Sequence, residues 1–243
     1  MFGAMQDWTL RVSRIIDHAA KFHAKRPVTG RTAEGGHVES DWARIHARAR
    51  KVAQGLRRMG LGRGDAVGVM AWNTVRHMEV WDGVTGAGCI LHTLNPRLFA
   101  EQLDYIINHA EDQVVMIDAD IVGVLEPLVD KLPTVKHWIV LTDRAHMPDT
   151  TLPNAICYAE WVAEQDGDFE WVDGDERDPC GLCYTSGTTG NPKGVLYEHR
   201  SNVLHALYAC TGDGLALTSR ATNLPVEPLF HANGKSLAYT APM

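Results

Sequence analysis

Residues 182–194 read LCYTSGTTGNPKG. The apolar run that leads in, CGLCYTS from Cys180, predicts a buried strand. The residues after that strand predict a loop shaped for phosphate. Thr185, Ser186, Thr188 and Thr189 supply hydroxyl donors, and Gly187 and Gly190 admit positive φ and close backbone approach. Successive backbone N–H groups can then form an anion-binding nest. Lys193 adds a fixed positive charge, and Pro192 stiffens the turn before it. This is not a Walker A loop, which needs Gly-Lys followed by Ser or Thr; here Pro192 precedes Lys193 and Gly194 follows it. An ordinary Ser/Thr/Gly turn is the competing assignment. Two glycines, four hydroxyls and a Pro-Lys-Gly in this order weigh against it.

Working outward, strand and helix alternate. Ser40 is placed to N-cap a helix that Gly60 stops. LGRGDAVGVMAWN turns into a strand over Ala66–Ala71, and a helix follows from about Thr74. GCILHTLNP is a strand ended by Asn95-Pro96. FAEQLDYIINHAE is a helix carrying Leu103, Ile106, Ile107 and Ala110 on one side. QVVMID is a strand, IVGVLEPLVDKL a helix that Pro127 kinks or restarts, and VKHWIVLT another strand. After the Gly-rich loop, YEHRSNVLHALYACT reads as a helix. The strands are near-continuous apolar runs. That pattern predicts an α/β fold, with a mostly parallel sheet layered with helices on both faces. Residues 143–178 form the one long irregular excursion, with room for a small strand pair or a lid.

Composition narrows the class. Of the 243 residues, 45% are hydrophobic and 22% charged, an ordinary globular balance. No apolar run is long enough to span a bilayer, and the N-terminal stretch lacks the order of a secretory signal. The expectation is a soluble cytoplasmic protein. The net charge of −7 is uneven. Residues 1–60 hold 12 Lys+Arg against 5 Asp+Glu, a net of +7; residues 101–180 hold 4 against 19, a net of −15. The basic block raises a nucleic-acid or anionic-membrane surface. However, Arg44, Arg48, Lys51 and Arg58 oppose Ile45, Ala49, Val52, Leu56 and Met59 on one amphipathic helix. No aromatic interleaving or nucleic-acid motif accompanies them. Cys180 and Cys183 make a C-x-x-C, but on a strand positions three apart face opposite ways, and no second ligand pair accompanies them. Metal and redox chemistry are set aside on that ground.

LCYTSGTTGNPKG matches, position by position, the phosphate-loop signature of the adenylate-forming superfamily, which includes acyl-CoA synthetases, peptide-synthetase adenylation domains and luciferases. MFGAMQDWTL, LGRGDAVGVMAWN, LHTLNPRL, EQLDYIINHAEDQVV and LPVEPLFHANG resemble its fatty-acyl-CoA synthetase branch. The resemblance covers essentially the whole chain. It implies that a carboxylate attacks the α-phosphorus of ATP to give acyl-AMP and pyrophosphate, after which CoA thiolate takes the acyl group. It implies ATP, Mg²⁺ and CoA, and a medium- or long-chain fatty acid as the substrate. Thr185, Ser186, Gly187, Thr188, Thr189, Gly190 and Lys193 would hold the β- and γ-phosphates, with Thr185 a hydroxyl ligand to Mg²⁺. His231 would stand beside the reacting carboxylate and α-phosphate; with Lys193 it is the candidate catalytic residue. Several long-chain enzymes of the branch carry a gating Trp where this chain has Lys235, which points to a shorter or more polar acid.

Members of the branch run to roughly twice this length. Their adenine-binding segment, ribose-binding acid, hinge and C-terminal lysine have no counterpart here. On this resemblance the chain is the incomplete N-terminal domain of such an enzyme. Residues 1–178 form a first α/β subdomain, 179–243 begin the phosphate-loop subdomain, and a C-terminal domain is absent. Expected consequences are negligible activity alone and an exposed apolar edge that drives self-association, or a dimer. Two alternatives stand: a non-catalytic nucleotide- or partner-binding module, and an adenylation domain that serves a carrier protein.

Overall fold

The computed structural model describes residues 3–185 and 191–243, apart from the side chain of Asn233. Its centre is a seven-stranded sheet in the order β7-β6-β5-β3-β4-β8-β9. The strands are β3 (Ala66–Met70), β4 (Ile90–Thr93), β5 (Val114–Ile117), β6 (His137–Val140), β7 (Ile156–Cys157), β8 (Pro179–Thr185) and β9 (Lys193–Glu198). All neighbours run parallel except β8 and β9. A separate antiparallel pair, β1 (Pro27–Arg31) and β2 (His37–Asp41), precedes it. The expected parallel α/β architecture is therefore present. Strands β3, β4, β5 and most of β6 are buried along their length, as doubly covered strands must be.

The helices are α1 (Ser13–Phe22), α2 (Trp42–Arg58), α3 (Val75–Gly86), α4 (Ala100–Ala110), α5 (Tyr158–Ala163), α6 (His199–Cys210) and α7 (Ala232–Thr240). Two cores result. One packs α1, α2, α3, α5, α6 and α7 through residues such as Ile16, Ile45, Val67, Trp81 and Trp161. The other lies under α4 and the 119–131 turns, through Met70, Leu103, Ile107, Val115 and Trp138.

Three local expectations are corrected. The α2 N-cap is Asp41, whose carboxylate accepts from Arg44 N–H at 2.8 Å, not Ser40, which pairs within β2 instead. IVGVLEPLVDKL is not an α-helix but two short 3₁₀ turns, Ala119–Val124 and Glu126–Lys131. Pro127 has no N–H to continue the first turn and sits at the start of the second. The third concerns residues 193–198, read as loop and helix start. They form β9, which pairs antiparallel with β8 so that Thr185 faces Lys193.

The 143–178 excursion carries β7 and α5, then runs back along α2. Arg58 donates to Glu164 O, Gln54 to Asp166, and Arg50 Nε to Phe169 O at 2.8 Å. Asp178 pairs with the buried Arg11 at 3.2 Å and with Arg63 at 2.5 Å. The basic helix α2 thus lies along the acidic segment, held mostly by bonds to its backbone carbonyls and by Gln54, while Arg11 of the N-terminal block forms an ion pair with Asp178.

Candidate functional site

In parallel sheets, ligands sit outside the carboxyl ends of the strands where the strand order reverses. Here the order reverses at β3, which has β4 on one side and β5 on the other. Immediately past β3 stand Trp72 and Asn73. The Asn73 amide donates to Pro225 O at 3.1 Å and Glu227 O at 2.9 Å, and its Oδ1 accepts from Leu229 N–H at 2.8 Å. At the end of β4, Thr93 Oγ1 donates to Phe230 O at 3.2 Å. The Phe230 ring lies 6.2 Å from that of Trp72. Four hydrogen bonds from two strand ends therefore hold residues 225–230 against the sheet edge. His231 follows directly, at the start of α7. Its Nδ1 lies 3.0 Å from Glu227 Oε1, and its ring is about half exposed.

Thr185 ends β8 on the same carboxyl edge. It is exposed, and its Oγ1 lies 3.5 Å from the Lys193 carbonyl across the β8–β9 pair. Lys193 opens β9 and is exposed as well. Ser186, Gly187, Thr188, Thr189 and Gly190 lie outside the described residues. The residue before Thr185 is anchored twice. The Tyr184 hydroxyl meets His109 Nδ1 at 2.6 Å, and its ring packs 5.1 Å from that of His92. His92 is itself fixed by a fully buried pairing with Asp112 at 2.7 Å. The strand that feeds the loop thus enters it from a rigid base.

The two halves of the site are joined by Lys235, one helical turn past His231. Its side chain does not face outward. It is buried, donates from Nζ to Leu182 O of β8 at 3.0 Å, and lies 5.1 Å from the centre of the Tyr197 ring of β9. Burial pushes its amine down to about 8. Nearby, His77 is buried with Nδ1 2.9 Å from Trp72 O, and burial pushes it down to about 4. It stays neutral at physiological pH.

The depressed Lys235 amine has a testable consequence. Its folded value lies below its ordinary 10.5, so the folded state binds fewer protons than the unfolded one between about 8 and 10.5. Stability is therefore penalised below pH 8 and recovers as pH rises towards 10.5. Lys235→Met keeps the packing stem and removes the buried charge. It is expected to raise stability at pH 7 by about 1–3 kcal/mol and to flatten the alkaline rise. Urea unfolding across pH 7–10 reads both, and a destabilised variant with an unchanged slope would refute it.

Asn73, Thr93 and the inward course of Lys235 were not singled out by motif. The one local signal was an Asn directly after an apolar strand, in AWNT. Cys180 and Cys183 are both buried and unpaired by disulfide. Among the described residues no three His, Cys, Asp or Glu side chains gather to hold a metal.

The comparisons with known proteins agree on one family. The family described as AMP-binding enzyme matches residues 16–243. All 243 residues align at 42% identity with 44% of the medium-chain-fatty-acid–CoA ligase of Ectopseudomonas oleovorans. They align at 43% identity with 45% of the 3-methylmercaptopropionyl-CoA ligase of Ruegeria pomeroyi. The fold matches a crystal structure of a long-chain-fatty-acid-CoA ligase from Archaeoglobus fulgidus, with a TM-score of 0.83 at 21% identity, over 99% of this chain and 47% of that one. The chain spans less than half the length of these curated relatives.

Proposed function

The chain belongs to the AMP-binding enzyme family, and on that premise we propose that it carries the phosphate-binding part of an ATP-dependent fatty acid–CoA ligase site. The acid, of medium or long chain, attacks the α-phosphorus of ATP; acyl-AMP forms and pyrophosphate leaves. CoA thiolate then attacks the acyl carbon and AMP departs. The observation that supports this most is the joining of the two motif segments by Lys235 at one sheet edge. One segment is the strand ending in Thr185 with Lys193 across from it, and the other is the helix that begins after His231.

In this reading residues 185–190 and Lys193 receive the β- and γ-phosphates. An anion attacking a polyanion needs charge neutralised and groups aligned before reaction. Lys193, exposed at the mouth of the β8–β9 pair, can swing its amine over the loop. His231, oriented by Glu227, faces the carboxylate and α-phosphate. Thr185 Oγ1 offers a single hydroxyl oxygen on the exposed rim. That suits a magnesium ion brought in by triphosphate oxygens and water, since this ion keeps several waters and takes few protein ligands. Residues 1–178 serve as the first α/β subdomain and 179–243 as the start of the phosphate-loop subdomain of a cytoplasmic enzyme. Alone, the chain self-associates through its uncovered apolar surface.

The test uses a joined polypeptide, residues 1–243 followed by the part of the Ectopseudomonas oleovorans relative that lies beyond its match. Carboxylate-dependent ATP–pyrophosphate exchange is expected, and Lys193→Ala should lower it by roughly 100- to 1,000-fold, the scale of one lost electrostatic stabiliser. With Lys235 where an aromatic gate stands in several long-chain enzymes, the shorter acids of that range are favoured, and exchange with octanoate should match or exceed that with palmitate. A strong palmitate preference would sink that preference for a shorter acid while leaving the ligase reading intact.

A further inference from the structure

A cavity of about 350 Å³ lies between α1, α2 and the 169–173 segment. It is at the opposite edge of the sheet from the site described above. Val172 N–H bonds to Gly86 O at the end of α3, just before β4, and Arg11 reaches Asp178, next to the start of β8. The cavity thus borders the amino ends of the two strands whose carboxyl ends carry Thr93 and Thr185. Helix α1 begins at its wall. The α1 N-cap is Val12, which gives no side-chain cap. Ser13, the first helical residue, lines the cavity and is 6% exposed, and its hydroxyl has no hydrogen-bond partner among the described residues. Buried polar groups are normally bonded, so a buried hydroxyl that caps nothing and bonds nothing, beside a helix N-terminus, points to an acceptor from outside the chain.

Two guanidiniums on the same wall add donors. Arg50 of α2 gives Nε to Phe169 O at 2.8 Å and leaves its terminal nitrogens without a partner among the described residues. Arg14 lies 5.4 Å from the centre of the Trp8 ring and makes no hydrogen bond among the described residues. Arg11 also lines the cavity; its Nη1 serves Asp175 O and Asp178, and its Nε has no partner. The carboxylate of Asp17, which attracts Arg14, is already engaged: Oδ1 accepts from Trp171 Nε1 at 2.8 Å and lies 2.9 Å from His46 Nε2. Glu170 and Asp173 are exposed at the mouth. The rings of Phe169 and Trp171, 6.4 Å apart, supply an apolar wall. We propose that this cavity binds a small phosphate monoester. Its phosphate takes Ser13, Arg14 and Arg50 at the start of α1, where helix N–H groups and guanidinium forks both favour a tetrahedral anion. Its apolar body lies against Phe169 and Trp171, in a cavity of small-molecule size. Glu170 and Asp173 repel further negative charge at the mouth, which selects one phosphate over a chain of them. The proposal does not rest on the ligase reading.

The experiment is calorimetric titration of the 243-residue chain with phenyl phosphate, with inorganic phosphate and inorganic triphosphate run alongside. Phenyl phosphate should saturate one site per chain below about 10 mM. It should bind roughly fivefold or more tightly than either inorganic anion, because only it buries apolar surface. Arg14→Gln, at an exposed side chain, should weaken it about 10-fold or more, the scale of one charge-assisted hydrogen bond. The variant should melt within about 2 °C of the parent. Lys193→Ala, which alters the phosphate loop, should bind phenyl phosphate as the parent does. Hydrogen exchange needs no variant: bound phenyl phosphate should slow the amides of 13–15 and 170–173 and leave those of 193–198 unchanged. Three results would overturn the proposal. The first is a parent chain with no saturable binding. The second is binding that Lys193→Ala removes and Arg14→Gln keeps, or protection confined to 193–198, either of which would place the ligand on the phosphate loop. The third is equal affinity for phenyl phosphate and inorganic phosphate, which would mean an adventitious ion only.

Discussion

By itself the 243-residue chain is expected to show ATP–pyrophosphate exchange at background with every carboxylic acid offered, and Lys193→Ala should make no difference to it. The chain supplies the strand that enters the phosphate loop, Lys193 across from it, and the helix after His231 tied down by Lys235. Binding one end of a nucleotide is not sufficient for transfer at its α-phosphorus. Well-oriented reactants gain up to roughly 7–11 kcal/mol over free ones, and a loose nucleotide forfeits most of that. Thr185 offers one oxygen to a nucleotide-borne metal, and no carboxylate cluster stands by among the described residues. Half or more of each relative has no counterpart in this chain. Exchange that depends on an added acid and disappears in Lys193→Ala would show that these residues already assemble an adenylation centre. The restriction of activity to the joined polypeptide would then be wrong.

Gly83→Ala should cost about 1–3 kcal/mol of stability, with a fall of roughly 2–12 °C in melting temperature for a chain of this size. Gly83 lies inside α3, where helix propensity alone would make Ala the better residue by about 1 kcal/mol. The packing reverses that sign. A Cβ at Gly83 would lie 2.6 Å from Val52 Cβ and 2.8 Å from Ala49 O of α2. The Ala49 contact is with backbone, which cannot rotate away, so the helices must separate. All but one residue of α3 are buried, and separation opens the core on both sides of Trp81. Urea unfolding of the two proteins measures the difference. A variant as stable as the parent would mean that the helices slide apart at little cost and that the close crossing is not what selects glycine.

The alternation of apolar strands and amphipathic helices was readable because each repeat is local. A period of two or 3.6 residues records which side of an element faces the core, whichever neighbour covers it. The family's loop signature was readable for a similar reason, since its glycines, hydroxyls, proline and lysine stand together within one short stretch of chain. His231 came from its neighbours in LFHANG, not from its own chemistry. The failures share a cause as well. Asp41 and Ser40 are equally good caps in isolation, and the register of β2 decides between them. The 121–132 stretch has helical spacing, but Pro127 limits it to two short turns. β9 looked like loop because a strand two residues from a glycine-rich turn is defined by its partner β8.

The sequence alone determined the fold class and the family, because these are written in short-range patterns of residue type. Only the tertiary structure decided that Arg11 pairs with Asp178 and that Arg50 and Arg58 of the basic helix bond to backbone carbonyls of the acidic segment. It also decided that Asn73 and Thr93 carry the His231 segment, and that Lys235 turns inward to join that segment to the phosphate-loop strand. Each of those depends on groups dozens to well over a hundred residues apart meeting at hydrogen-bonding distance, and a one-dimensional pattern holds no record of which distant group lies across the gap.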